Sequence, residues 1–351
     1  MGCPGFFPYV TCAACSVSFL FAGLFIFMIF WLQYDSESCT LYSDIKHSVR
    51  FARYFPLYIE KERNKMTYES FLDILERNIC SMLSGEEQVR RIQILKNNGV
   101  KLDGFSYQIP GHREQPTVYV NQYYRKEMKE EELRGVAQLV LKIQRDSRLF
   151  PEEELTQVLD YERMKDRIFF RLISKEKNEE LLTQVPWLPW LDLAIVFYLR
   201  IPEHIVQNAT ALIHNNHMEY WGLTLGQLYR IASGNMKKQR FMLEPMEHFL
   251  GYYGIEAVNS GMYVLSTEKK EYGAAVILSQ EVQRKCRELL GEDYYVLPSS
   301  VHELILLPRS IASGPRELEK MVREVNAQCV SREDFLSDCI YLYSSKLGLV
   351  R

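Results

Sequence analysis

The sequence predicts an α+β fold, in which antiparallel hairpins and a mixed sheet pack with several helices. Short apolar runs rich in β-branched and aromatic residues are bounded by turn residues, and amphipathic runs with helical spacing lie between them. The two kinds of run do not alternate regularly, which argues against a βαβ architecture. The chain has 351 residues, 47% of them hydrophobic and 25% charged, which is typical of globular proteins with one large or two ordinary domains.

An uncharged segment precedes the globular body. Residues 1–34 contain no charged side chain, and residues 13–32 supply 20 apolar or small residues, about 30 Å as a helix. We therefore expect a single N-terminal transmembrane helix, and the basic residues after it place the body in the cytoplasm. Met66, followed by Thr67 as a helix cap, offers an alternative start. In that case residues 1–65 are an upstream extension and the protein is cytoplasmic from Met66.

Residues 66–160 are predicted to form a helix, an antiparallel meander and a second helix. Apolar residues recur at helical spacing between Phe71 and Met82, and again within KEEELRGVAQLVLKIQRDSR. The sequence NNG suits a tight hairpin turn, and Pro and Gly residues mark the next connection. Three strands are predicted between the helices, at 92–96, 100–109 and 117–123.

Residues 161–351 are predicted to form the main α+β domain. The expected strands are IFFRLIS, LAIVFYL, ATALI, 262–266, 274–278, YYVLP, LILL and CIYLYSS. The expected helices are TLGQLYRIASGN, SQEVQRKCRELLG, PRELEKMVREVNAQ and SREDFL. The order strand–loop–strand–helix occurs at both 193–222 and 262–291, so an internal duplication stays open as an alternative.

Charge and motifs exclude several classes of function. A net charge of −3 gives no attraction to nucleic acid, so we predict no nucleic-acid partner and a membrane contact only through the N-terminal segment. The sequence contains no phosphate-binding loop, dinucleotide-binding fingerprint, GxSxG elbow or EF-hand, and we predict no cofactor. The remaining partner classes are another protein and a small molecule.

The stretch VLPSSVHELILLP is a candidate catalytic segment. Ser300 and His302, two residues apart on a strand, would share one face as nucleophile and base, and Asp192 is a candidate acid from elsewhere in the chain. Glu303 would point to the opposite face. The favoured interpretation is structural, with Pro298 and the two serines forming a turn that leads into a buried strand.

The stretch HNNH is a candidate metal-binding segment. His214 and His217, three residues apart, would share one face of a helix and could hold a metal with a further ligand. Neither a cysteine nor another histidine lies nearby to complete such a site. We therefore predict no metal, with these two histidines as the weak candidates.

Seven stretches together resemble one protein family. They are MTYESFLDIL, KNNGVKLDGFSY, PTVYVNQYY, LDLAIVFYL, ATALIHNNHMEYWGLT, MYVLSTEKKEYGAAVIL and YYVLPSSVHELILLP. In this order they are similar to an uncharacterised bacterial domain-of-unknown-function family of Gram-positive anaerobes, over about residues 66–345. The resemblance implies no assigned activity and no catalytic residues, and it implies a family domain that starts near Met66.

The favoured function is therefore a non-enzymatic binding or interaction protein, because no catalytic motif is present. Two alternatives are kept. The first is a hydrolase or transferase with a site assembled around Ser300 and His302. The second is an accessory protein that is tethered to the membrane through residues 13–32.

Overall fold

The computed structural model describes residues 11–12, 66–108, 117–146, 159–205, 209–251, 260–346 and 348–350. The chain divides into two compact units, a larger one of residues 1–29, 94–101 and 150–351 and a smaller one of residues 30–93 and 102–149. The predicted transmembrane segment 13–32 lies outside the described residues. Among the helices that are described, none is both long enough and apolar enough to cross a bilayer.

Helices and antiparallel strands make up the described chain, which confirms the predicted α+β class. The strands are β1 Thr11–Cys12, β2 Gln88–Leu95, β3 Lys101–Gln108, β4 Thr117–Tyr119, β5 Ile168–Ser174, β6 Trp187–Trp190, β7 Leu193–Arg200, β8 Ala209–Leu212, β9 Phe241–Pro245, β10 Tyr263–Thr267, β11 Asp293–Pro298, β12 Glu303–Pro308, β13 Tyr341–Ser344 and β14 Gly348–Val350. The α-helices are α1 Tyr68–Ser81, α2 Glu130–Asp146, α3 Tyr161–Met164, α4 Glu179–Leu182, α5 Asn215–Trp221, α6 Leu225–Lys238, α7 Met246–Gly251, α8 Gln280–Leu290 and α9 Pro315–Cys329.

In its described part, the smaller unit packs α1 and α2 with the three-stranded sheet β2–β3–β4. The Thr67 hydroxyl caps α1 by accepting a hydrogen bond from the Ser70 N–H at 3.1 Å. Apolar side chains at helical spacing on α1 and α2 meet Phe105 and Tyr107 of β3 in one core. The predicted meander is therefore confirmed.

Two antiparallel sheets form the described frame of the larger unit. One has the strand order β1–β8–β7–β5, with β6 also paired to β7, and the other has the order β14–β13–β11–β12–β10–β9. One apolar core joins side chains of both sheets with α6 and α8. Because every residue of β7 except the last is buried, this strand lies at the centre of its sheet.

The strand predicted at 274–278 is wrong, because Gly273–Leu278 forms a buried 3₁₀ helix. A continuous apolar run indicates burial, but it does not separate a buried strand from a buried helical turn. The segment starts at a glycine because the packing is close there: a Cβ atom on Gly273 would lie 2.5 Å from the His302 carbonyl oxygen and 2.6 Å from the Thr267 nitrogen. The strand pair β7–β8 of residues 193–222 thus has no counterpart in residues 262–291.

The helix predicted at SREDFL is also wrong, because these residues form a turn between α9 and β13. Ser331 caps this turn, since its hydroxyl accepts a hydrogen bond from the Asp334 N–H at 3.0 Å. The carbonyl oxygens of Arg332 and Phe335 accept hydrogen bonds from the Asn98 side chain at 2.8 and 2.7 Å. These carbonyls are therefore engaged by a distant part of the chain instead of by a continuing helix.

The tip of the β2–β3 hairpin belongs to the larger unit and is held there by two buried asparagines. Asn98 has a left-handed backbone with φ of 56°, which asparagine tolerates better than most residues. Its N–H donates to the Asn178 side-chain oxygen at 2.7 Å, and the Asn178 amide donates back to the Asn98 side-chain oxygen at 2.8 Å. Asn97 adds a 2.6 Å hydrogen bond to the Glu333 carbonyl oxygen.

Replacement of Asn98 tests how much stability this anchor supplies. We expect Asn98→Ala to lower the free energy of unfolding by about 2–4 kcal/mol, because several buried partners lose their hydrogen bonds and alanine disfavours the positive φ. Asn98→Gly keeps the backbone conformation and removes only the amide, so it should cost about 1 kcal/mol less. Denaturant unfolding monitored by circular dichroism measures both changes. Wild-type stability of the alanine variant would contradict the anchor.

Candidate functional site

A small polar cavity of about 50 Å³ lies within the larger unit, against one face of β5, β7 and β8. Its walls combine apolar side chains with basic, hydroxyl-bearing and acidic ones. The lining residues are Ile94, Leu95, Lys96, Asn97, Arg171, Leu181, Tyr198, Thr210, Leu212, His214, Tyr272 and Glu333. They come from the end of β2 and the hairpin tip, from the three neighbouring strands β5, β7 and β8, from helix α4 and from three connecting segments.

Strand alternation explains why this side of the sheet is polar. On β5, Ile168, Phe170 and Leu172 join the main apolar core, so Arg171 points to the opposite face. The register of β7 places Tyr198 on that same face, and Thr210 follows on β8. The fold therefore brings an arginine and two hydroxyl groups to a surface that the rest of the chain covers.

Lys96 reaches the cavity because the asparagines that follow it are fixed in the larger unit. Burial lowers the pKa of its ammonium group to about 8, the charge of Glu333 acts in the opposite direction, and the charge of Arg171 adds to the lowering. Glu333, the acid among the described lining residues, is itself exposed to solvent. Lys96 and Arg171 thus place two cationic groups in the wall of the same cavity, with Glu333 as the lining acid.

The Arg171 guanidinium stacks on an aromatic ring and keeps a free donor. Its central carbon lies 4.7 Å from the centre of the Tyr272 ring. Its Nε atom is buried and has no hydrogen-bond partner in the described residues. An arginine N–H left in this state costs free energy unless a ligand or water accepts from it.

Tyr272 connects the cavity to the candidate catalytic segment. It has a left-handed backbone with φ of 47°, which is uncommon for a bulky residue and indicates local strain. Its ring stacks on His302 with 5.3 Å between ring centres, and its hydroxyl lies 3.3 Å from the Thr210 hydroxyl. The Tyr272 ring thus contacts both Arg171 of the cavity wall and His302 of the candidate catalytic segment.

Ser300 and His302 lie in the turn between β11 and β12, and they do not form a nucleophile–base pair. The Ser300 hydroxyl donates to the Glu303 carboxylate at 2.8 Å. His302 Nδ1 accepts from the Tyr272 N–H at 3.2 Å, and its Nε2 lies 3.3 Å from an Asp334 carboxylate oxygen. Both ring nitrogens of His302 are thus engaged, and neither of them contacts Ser300.

Asp192, the acid proposed from sequence, contacts neither Ser300 nor His302. Its carboxylate accepts a 2.9 Å hydrogen bond from the Ser337 hydroxyl, beside a different part of the fold. Asp334 is the acid that meets His302 instead. The expected position of Glu303 is also corrected: it lies beside Ser300, because both belong to a tight turn and not to one extended strand.

His214 and His217 contact each other at the start of α5. The His214 N–H donates to His217 Nδ1 at 2.8 Å, and the His217 ring stacks on Trp221. Burial lowers the pKa of His217 to about 4, so this ring is neutral at pH 7, and burial also lowers the pKa of His214. In the described ranges, no group of three or more His, Cys, Asp or Glu side chains is placed to hold a metal.

Sequence reasoning missed the cavity, although one signal was present. Arg171 is the charged residue inside the apolar strand IFFRLIS, and arginine is rarely buried without a partner. Lys96 gave no signal, because its burial depends on contacts between residues far apart in the chain. Ser300 and His302 form the more conspicuous pattern in the sequence. In the structure, however, the Ser300 hydroxyl bonds to Glu303, and the His302 ring bonds to Tyr272 and Asp334.

Comparison with known proteins gives a family and no activity. A model of a family of unknown function, DUF5688, matches residues 68–345. The chain belongs to this family. The match confirms the resemblance seen over residues 66–345, and all of the residues that line the cavity lie within it. No curated protein and no solved structure matches the chain.

The buried carboxyl group of Glu303 gives a prediction for stability. Burial raises its pKa above the ordinary value of 4.5, and the His302 charge and the Ser300 hydrogen bond oppose this only in part. The folded protein thus holds the Glu303 proton more tightly than the unfolded chain does. The free energy of unfolding should fall as pH rises from about 4.5 through the raised pKa.

Glu303→Gln should remove this loss while it retains an acceptor for the Ser300 hydroxyl. The stability difference between Glu303→Gln and wild type should grow in favour of the variant over that pH range and then stay constant. Denaturant midpoints at closely spaced pH values measure it, with the exposed residue Glu281→Gln as the control. A difference that does not change with pH would refute the assignment.

Proposed function

We propose that this protein is a non-enzymatic binding protein whose small-molecule ligand occupies the cavity between the hairpin tip and the sheet. The observation that carries the proposal is the buried, unpartnered Nε of Arg171 in the cavity wall. Hydroxyl groups of Tyr198, Thr210 and Tyr272 surround the same space. Convergent polar groups in a concave, partly apolar site are typical of ligand pockets.

The geometry supports binding better than it supports hydrolysis. A serine nucleophile needs a base within hydrogen-bond reach that can take its proton, and the Ser300 hydroxyl instead contacts the buried Glu303. His302 is held by Tyr272 and Asp334 through both ring nitrogens. These contacts fit a turn that positions Tyr272 at the cavity, in which case His302 acts through the tyrosine and not on a substrate.

Membrane attachment through residues 13–32 is a separate proposal, which rests on the apolar composition of that segment. It is compatible with ligand binding, because a tether would only fix where the binding domain works. Fractionation of the native protein tests it independently of the cavity. Recovery in the membrane fraction would support the tether, and a wholly soluble product would exclude it.

A cavity-filling substitution tests the proposed binding function. Leu212 on β8 lines the cavity and is partly exposed, so Leu212→Phe should fill part of the space. We expect fragments of a few heavy atoms, screened by ligand-observed NMR, to bind wild type and to bind Leu212→Phe at least about tenfold more weakly.

Two control variants sharpen this experiment. Leu188→Phe makes the same chemical change on β6, outside the cavity lining, and should bind like wild type. Ser300→Ala should also retain binding, whereas the hydrolase alternative expects Ser300 to contact the ligand. The proposal fails if no fragment binds in a way that depends on Leu212, or if only Ser300→Ala loses binding.

A further inference from the structure

We infer that the cavity binds a small oxyanion, such as a carboxylate or a phosphate group, with Arg171 as its main partner and Lys96 as the second cation. This inference rests on the proposed binding function and names its ligand class. Both side chains line the same small space, and Nε of Arg171 has no acceptor there within the described chain. An oxyanion supplies the missing acceptor, and a hydrogen bond between two charged groups is among the strong ones.

A second arginine on this sheet, Arg200, has an acidic partner and can be compared with Arg171. Arg200 lies on the same face of the sheet and forms a 3.1 Å ion pair with Glu271, and both side chains are mostly buried. Arg171 lies on the same face, on β5, and has no carboxylate within 4.0 Å in the described residues, although the charge of Asp334 acts on it from farther away. A buried N–H without an acceptor is costly, so an anion that accepts from Nε would stabilise Arg171.

The other lining groups select an anion over other ligands. A cation would meet the positive charges of Lys96 and Arg171, and a purely apolar ligand would leave the Arg171 donor unsatisfied. Tyr198, Thr210 and Tyr272 bring hydroxyl groups to the cavity lining, and in the hydrogen-bonded Thr210–Tyr272 pair one hydroxyl keeps a proton for an oxygen acceptor. Burial raises the pKa of Tyr198, so that hydroxyl keeps its proton across the physiological range.

The size of the cavity limits the ligand. A volume of about 50 Å³ exceeds the roughly 10–15 Å³ that one water requires, but it is far below the roughly 300–1,000 Å³ of drug-sized pockets. The occupant is therefore a free ion or the anionic end group of a larger molecule. Binding of inorganic phosphate or acetate tests the shared chemistry, and longer carboxylates and phosphomonoesters then separate the two sources.

Lys96 makes the binding dependent on pH. Its ammonium group is charged below about pH 8 and neutral above it. Anion affinity should thus fall as pH rises through about 8, because Arg171 alone remains charged. The titratable and charged groups that face Lys96 around the cavity are Arg171, Tyr198, His214, Tyr272 and Glu333. Burial lowers the pKa of His214, so this ring carries less positive charge than an ordinary histidine at a given pH.

Isothermal titration calorimetry with acetate, phosphate and neutral acetamide, in low-chloride buffer from pH 6.5 to 9.5, tests the inference on the full chain. We expect acetate or phosphate to bind and acetamide not to bind. Arg171→Gln should weaken anion binding at least about tenfold. Lys96→Met should retain weak binding without the change near pH 8. Arg309→Gln, which alters an exposed arginine outside the cavity, should leave binding unchanged.

The outcomes separate this inference from the proposed function. Equal binding of acetate and acetamide, or anion binding that survives Arg171→Gln, overturns the oxyanion inference while leaving a cavity that binds ligands. The oxyanion inference is likewise overturned, and the binding function kept, if neutral fragments bind in a way that depends on Leu212 while no anion binds. Absence of all binding that depends on Leu212 or Arg171 overturns both. Circular dichroism of each variant confirms that a loss of binding is not a loss of fold.

Discussion

The candidate site depends on the hydrogen bonds that hold Asn98 in the larger unit. The Asn98 side chain donates to the carbonyl oxygens of Arg332 and Phe335, which lie 234 and 237 positions later in the chain. Its backbone N–H donates to the Asn178 side chain, and its side-chain oxygen accepts from the Asn178 amide. Because the peptide backbone is continuous, fixing Asn98 also fixes Lys96 two residues earlier. Without this anchor, the lysine would extend into water and the cavity would lose one wall. A buried asparagine at a hairpin turn thus controls the charge of a site formed mainly by other strands.

The second constraint is electrostatic, and it concerns one face of the central sheet. Strand alternation sends Arg171 and Arg200 to the face opposite the main core. Arg200 forms an ion pair with Glu271, whereas no carboxylate of the described residues lies within 4.0 Å of Arg171, and the charge of Asp334 acts on it only from farther away. Tyr272, whose backbone is strained, stacks on Arg171, and its ring also stacks on His302. This arrangement holds the Arg171 guanidinium in position while its Nε–H has no acceptor in the described residues, as expected if the cavity receives an anion.

The sequence predicted local features well and long-range ones poorly, for physical reasons. The hairpin turn at Asn97–Gly99 and the Thr67 cap depend on a few adjacent residues, so their chemistry is readable. The apolar run 274–278 correctly indicated that the segment is buried, but it did not indicate that its backbone is helical. Its packing against Thr267 and His302, which are close to Gly273 only in the folded chain, could not be read from the run itself. For the site, Ser300 and His302 looked conspicuous because they are adjacent in sequence. Lys96 meets Arg171 only through tertiary contacts, which no local pattern encodes.

The pKa of Lys96 tests the central claim most directly, because it reports whether the anchored hairpin tip places this amine in the cavity. NMR titration of its side-chain resonances, assigned with Lys96→Met, measures that pKa in the intact protein. We expect a value of about 8 for wild type, together with a rise when phosphate binds, and a value closer to 10.5 for Asn98→Ala, which disfavours the anchored backbone conformation. A wild-type value of 10.5 that does not respond to Asn98→Ala or to phosphate would contradict both the anchor and the anion site.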